Sequence, residues 1–190
     1  MISKALQFTN DALDQFLKNR FNLDESKVIL NNLIESSGSI PQANQNKVVI
    51  SLINVEQETS KPFVVRYQQM SGGSYADVNP FERYNLNILI STNFDDYSET
   101  LKFLTAVIMF FQVNAILDAH SYANIPSGLS KLEFDIEKIN YQQMQGLWTA
   151  MGAKYQPSVL YKLRLVTIQA NETDGFIPAI RSTSNLVTTS

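Results

Sequence analysis

Few residues in this chain have the types and spacing that could do chemistry. His120 is the only histidine and lies in Asp118-Ala119-His120-Ser121-Tyr122, ahead of Pro126. An imidazole beside a hydroxyl suits nucleophilic attack, because the ring can take the hydroxyl proton. Sequence neighbours do not hold that geometry unless the backbone turns sharply, so His120 reads as a surface histidine. Gly72-Gly73-Ser74 could cradle a phosphate, but it lacks the Lys-Ser/Thr pair of a Walker loop and the GxGxxG of a dinucleotide turn. It reads as a loop tip. Glu56 and Glu58 end one strand on the same side, and Glu133, Asp135 and Glu137 form a row on another. Paired carboxylates can hold a metal or divide acid and base roles. No metal-loop spacing accompanies these, so they read as solvated or interface charges that also guard sheet edges. Lys154, Lys162 and Arg164 are the nearest thing to a basic cluster. Three cations make a poor nucleic-acid footprint but suit an acidic rim on a partner protein. No catalytic, metal or cofactor-binding residue is assigned, and the chain reads as something other than an enzyme.

The elements that carry these residues follow from apolar periodicity. Ile2, Leu6, Leu13, Phe16, Leu17 and Phe21 recur at helical spacing and predict a helix over 2–21. A short strand is expected around Val28-Ile29-Leu30. Ser36 to Pro41 is a loop by composition. Residues 47–56 predict a strand apolar on both faces, with Val48, Ile50 and Leu52 on one and Val49, Ile53 and Val55 on the other, hence an interior strand. The stretch 59–82 is irregular, with Phe63 to Tyr67 as a short edge strand inside it. Residues 84–92 form a strand with Leu86, Ile88 and Ile90 on one face. Asn93 is expected to cap a helix over 94–115, which is apolar nearly all round. Leu101, Leu104, Ile108 and Phe111 make one stripe; Phe103, Val107 and Phe110 make a second beside it. Such a helix must be covered on more than one side, either by the first helix or by a second subunit.

Residues 130–138 alternate as a half-exposed strand with Leu132, Phe134 and Ile136 inward. Asn140 and Gln143 form a capping box for a short helix that buries Met144, Leu147, Trp148 and Met151 and ends at Gly152. Pro157 sets a turn into a last strand, where Lys162 and Arg164 share a face with Leu160 and Val166. The expected fold is a single α+β domain over 1–170, with a mixed, mostly antiparallel sheet flanked by helices. A polar tail over 171–190 is either disordered or an arm laid on an adjacent subunit.

The 190 residues suffice for one sizeable core, and an apolar fraction of 44% suits one. Charged residues make up only 17%, against about 25% in a typical domain, which leans toward a protein partly covered by neighbours. A net charge of −3 argues against nucleic-acid binding, and the lack of cysteine removes disulfides and thiolate metal sites. The start, Met1 to Leu6, does not look like a secretory leader, and the apolar run from Phe103 to Phe111 is far short of the ~20 residues that span a bilayer. The reading is a cytoplasmically made protein without direct membrane insertion.

Three segments carry a resemblance. They are Leu52-Ile53-Asn54-Val55-Glu56-Gln57-Glu58; Tyr84-Asn85-Leu86-Asn87-Ile88-Leu89-Ile90 with Tyr97, Leu101-Lys102 and Phe110-Phe111-Gln112; and the block from Leu147 through Trp148, Gly152, Lys154-Tyr155, Pro157-Ser158-Val159 and Tyr161-Lys162 to Arg164. In this order they resemble the cap, or tube-terminator, proteins of extracellular contractile injection systems, phage-tail-like particles of bacteria. Gln57 departs from the pattern, where an acidic residue is expected, and some relatives carry a long C-terminal extension.

The resemblance implies a phage-tail-terminator-like fold and a structural role without cofactors. The protein would form a homo-oligomeric ring, six-fold, on the distal end of the inner tube, contact tube and sheath proteins, stop tube growth and anchor the last sheath layer. It would be cytoplasmic during assembly. An adaptor elsewhere on the particle, or a small hydrolase, are the alternatives. The residues expected at assembly contacts are Lys154, Lys162, Arg164, Phe103, Val107, Phe110, Tyr67 and Tyr75.

Overall fold

The computed structural model describes residues 1–58, 67–69, 75–78, 82–129, 131–168 and 173–177. The elements run α1 (Ile2–Phe21), β1 (Val28–Leu30), a 3-10 turn at Gln42–Asn44, β2 (Lys47–Gln57), β3 (Tyr67–Gln69), β4 (Tyr75–Val78), β5 (Glu82–Asn93), α2 (Tyr97–Val113), β6 (Ile116–Asp118), β7 (Lys131–Ile136), α3 (Tyr141–Ala150), β8 (Ser158–Ile168) and β9 (Thr173–Ile177). The chain divides into two compact units. One comprises Met1–Glu58 with Arg83–Thr167, and the other Thr59–Glu82 with Ile168–Ser190. The expected boundary at 170 is therefore not where the chain divides.

The larger unit is α+β, with a six-stranded sheet in the order β1-β2-β5-β8-β7-β6. β1 runs parallel to β2, while β2/β5, β7/β8 and β6/β7 are antiparallel. The smaller unit holds an antiparallel sheet in the order β3-β4-β9. β9 falls inside the stretch expected to be a polar tail. Of the predicted edge strand from Phe63 to Tyr67, residues 63–66 lie outside the described residues.

Both faces of the larger sheet are covered, for the reason legible in β2: its apolar residues point both ways. Val48 and Ile50 join Leu86, Ile88, Ile90, Leu132, Phe134, Tyr161 and Leu163 in a core roofed by α1 and α2. Val49, Leu89 and Leu160 face the opposite side and meet Leu33 and Trp148, the latter carried by α3. Two departures from strict alternation correct the expected faces. A bulge between Leu52 and Asn54 shifts the register, so Val55 pairs with Leu86 on the helix side and not with the residues under α3. One inserted residue inverts every side chain beyond it. Val166 likewise packs in the helix-side core, not beside Leu160.

The cover over α2 is its own chain. Phe103 is 2% exposed, and Val107 and Phe110 are fully buried. Phe16 of α1 meets Phe110 at 5.3 Å between ring centroids, Phe21 meets Phe103 at 4.9 Å, and Phe94 stacks on Phe103 at 4.4 Å. Phe103, Val107 and Phe110, expected at a subunit contact, have no surface to offer one. The first helix, not a neighbour, supplies their cover. The helix cap is corrected too: Asp96, not Asn93, accepts the Ser98 amide at 2.8 Å. α3 starts as its sequence predicts, with Asn140 and Gln143 in a reciprocal capping box, and Gly152 follows it at φ +67°, a conformation that favours glycine.

A buried carboxylate fixes α1 to the sheet edge. Asp14 accepts from Ser26 Oγ and the Lys27 amide, both at 2.9 Å, and from the Val28 amide at 3.2 Å, and pairs with Lys18 at 2.9 Å. Burial by itself raises the Asp14 pKa, but these bonds outweigh it and hold the carboxyl below its ordinary value. Its folded value is lowered, so its stabilising contribution is present above the ordinary carboxylate pKa and fades as pH falls through the folded one. Asp14→Asn should lower stability by about 1–3 kcal/mol at pH 7, read by urea denaturation, and the gap from the native chain should close at acid pH. Phe110→Ala should cost about 3–5 kcal/mol, with a matching fall in Tm.

Candidate assembly surface

Beyond the part covered by α3, the second face of the sheet carries a cross-strand network of charge. Glu56 on β2 accepts from Asn87 of β5 at 2.7 Å and pairs with Lys162 of β8 at 3.2 Å. Lys162 also pairs with Glu137, just past β7, at 2.9 Å. Arg164 bonds Asp135, and Lys131 bonds Glu133. Asn85 donates to Glu58 at 2.9 Å. The carboxylate row and the cation pair, seen separately in the sequence, thus lie on one sheet face and answer each other. Hydrogen bonds from Asn87 and then Lys162 lower the Glu56 carboxyl, and Glu137 followed by Glu56 raises the Lys162 ammonium.

This changes the meaning of the basic cluster. Lys162 and Arg164 are already paired within the chain, so they do not form a free cationic patch for an acidic rim. Lys154 is exposed in the turn after α3. His120 is exposed, and its amide donates to the Asp118 carboxylate in a local turn. Tyr67 and Tyr75 are backbone members of the β3/β4 ladder, with Tyr75 opposite Gln69. Among the described residues, no group of His, Asp and Glu is arranged to hold a metal ion.

Among the described residues, apolar side chains are exposed on α2 and beside α3. On α2 the outward stripe is the one beside the stripe expected at the contact. Tyr97 is 66% exposed and Leu101 44%, with Leu104 and Ile108 partly buried between them. At 100° per residue these four fall within one narrow arc of the helix. The sequence shows both stripes, and only the position of α1 decides which is free.

The second of these surfaces flanks Trp148. This tryptophan is buried, with its ring N–H 3.2 Å from the Met144 sulfur and an edge contact to Tyr155 at 5.6 Å. A groove of about 570 Å³ runs past Ile139, Tyr141, Met144 and Tyr155. Sequence reasoning placed Trp148 in the core of α3 but missed the groove, because Tyr141 and Tyr155 lie on opposite sides of the helix in sequence.

The sequence matches the family model described as the Pvc16 N-terminal domain over residues 9–182. The chain belongs to this family. Its fold is similar to that of the PVC sheath/tube terminator, from a cryo-EM structure of an extracellular contractile injection system in the extended state. The TM-score is 0.64 at 14% identity over 96% of this chain and 62% of the other. It is also similar to the tube-terminating cap of the anti-feeding prophage, with a TM-score of 0.62 at 16% identity over 94% of this chain and 60% of that one. The chain thus spans about three fifths of the length of each. No curated protein matches the sequence significantly. Among the described residues, no helix of this family member is long and apolar enough to cross a membrane.

The network around Lys162 is only half-buried at the sheet surface, so its pairs add little to stability. Lys162→Met should change unfolding free energy by less than about 1 kcal/mol, and the Glu56 carboxyl should titrate nearer its ordinary value in an NMR pH series.

Proposed function

We propose that this protein is a structural cap of a contractile injection system, forming a closed ring on the distal end of the inner tube. The carrying observation is the family match over residues 9–182, which runs through both compact units and accompanies the likeness in fold to two tube terminators. A tube grows by head-to-tail addition, a heterologous contact that does not close on itself. A terminator must match the growing end with one surface and present a different one beyond it. Sideways contacts that close into a ring give it enough simultaneous bonds to stay in place.

The open stripe of Tyr97, Leu101, Leu104 and Ile108 supports such a sideways contact, since apolar area left free on one subunit is stabilised by burial against the next. The ion-paired sheet face suits a polar junction with tube or sheath, where paired charges set register more than affinity. Six subunits, tube and sheath partners, and assembly in the cytoplasm into a phage-tail-like particle belong to the same reading. Chemistry has no part in it: the protein acts by occupying an end.

Deleting the gene should yield tubes of uncontrolled length or particles that lose their sheath, measured as length distributions by negative-stain electron microscopy. Particles of normal length with a finished end would overturn the capping role, and the protein found elsewhere on them would favour an adaptor. Supplying the Leu101→Glu variant should leave the fold intact by circular dichroism but fail to restore uniform length. Full restoration would remove the α2 stripe from the ring contact while leaving the capping role standing.

A further inference from the structure

The apolar stripe of α2 and the groove beside α3 lie on opposite faces of one sheet. α2 packs on the face carrying Ile88 and Leu163, and α3 on the face carrying Val49 and Leu89. Tyr97, Leu101, Leu104 and Ile108 stand at i, i+4, i+7 and i+11 of α2 and form one straight ridge. At 1.5 Å per residue the ridge is about 16 Å long. The groove is elongated in the same way. Tyr141, Met144, Gln145, Trp148 and Thr149 line it at i, i+3, i+4, i+7 and i+8, so it follows α3 for about 12 Å. Ile139, Ala153 and Tyr155 line it from the flanking segments, and no residue lining it carries a charge.

Charge beside the two surfaces is opposite in sign. The ridge begins just after Asp95 and Asp96, both exposed. Asp95 accepts from Asn46 at 3.1 Å and Asp96 caps the Ser98 amide at 2.8 Å. At the groove, Lys138 precedes Ile139, and Lys154 stands between Ala153 and Tyr155; both lysines are exposed. Among the described residues none of these four charges is in an ion pair, whereas Lys131, Lys162 and Arg164 are each held by a carboxylate.

We infer that the α2 ridge of one copy seats in the α3 groove of the next, bringing Asp95 and Asp96 to the lysines beside it. A helix laying anchors one turn apart into an apolar groove is a recurrent mode of recognition. The opposed charges favour this pairing over ridge against ridge, where the aspartates would meet each other. Ridge and groove are different surfaces, so each copy offers one to either neighbour. A head-to-tail contact of this kind gives a ring when its rotation closes. The inference rests on the ring reading above and names the surface that receives the α2 stripe.

The chain has no native cysteine, and within one copy the sheet separates ridge from groove, so a bond between them joins two copies. Full-length chains carrying Tyr97→Cys would be mixed, under mild oxidation, with chains carrying Tyr141→Cys or Tyr155→Cys. A disulfide needs the two Cβ atoms about 4 Å apart, so one mixture should give about tenfold more covalent heterodimer than a Ser37→Cys control. Which mixture does so reads the orientation of the two helices. Adding Leu101→Glu to the Tyr97→Cys chain should return the yield to the control, while adding it to the groove chain should leave the yield high. Control yields in both mixtures would overturn the inference. So would equal loss from Leu101→Glu on either chain, which would mean that stripe packs on stripe. Tube length separates this contact from the capping role. A failed cross-link beside lost length control sinks the contact alone, and a formed cross-link beside normal tubes after gene deletion sinks the capping role alone.

Discussion

The packing of α2 against α1 and the sheet is the contact on which the larger unit depends. Phe103, Val107 and Phe110 lie between Phe16 and Phe21 of α1 and the apolar face of β2, β5, β8 and β7. Without that roof, the helix-side residues of four strands would face water, and burial of this kind is the main favourable term in folding. Asp14 sets the roof at its correct height by bonding two successive amides where the chain enters β1. On the other face, α3 and Leu33 complete the cover with a smaller cluster around Trp148. The central strands are therefore held from both sides, and what surrounds them is free to serve contacts.

What stays uncovered follows from the same arrangement. A helix apolar nearly all round cannot be roofed entirely by one neighbouring helix and one sheet, so α2 keeps an apolar stripe through Tyr97 and Leu101. β2 outruns β1, which pairs only with Val48, Val49 and Ile50. α3 is ten residues long and covers only part of the second sheet face, and the remainder is filled with paired charges. Burial and exposure thus fall on the same elements but on different sides of them.

Identities of 14% and 16% accompany TM-scores above 0.6. Cores tolerate wide substitution when volume and polar-apolar pattern are kept, and the doubly apolar β2, the doubly striped α2 and the capped α3 are features of pattern. Surface residues are not held by such a requirement. The likeness therefore speaks for the fold, and the contacts of this chain have to be argued from its own side chains.

The sequence by itself determined the local elements. The period of its apolar residues placed α1, β2, β5, α2, β7, α3 and β8, and the capping box of Asn140 with Gln143 fixed where α3 begins. These are decided by neighbours within a few residues, which is why they are legible. Its ordered motifs, from Leu52 to Arg164, also carried the family. Tertiary structure alone decided three other things. It buried Phe103, Val107 and Phe110 and exposed the adjacent stripe, because two apolar stripes side by side on one helix look alike until α1 takes one side. It joined Lys162 to Glu56 and Glu137 across strands far apart in the chain, turning a supposed basic patch into a neutralised one. And it turned Val55 over through the bulge after Leu52, since one extra residue in a strand changes no local preference yet moves every later side chain to the opposite face.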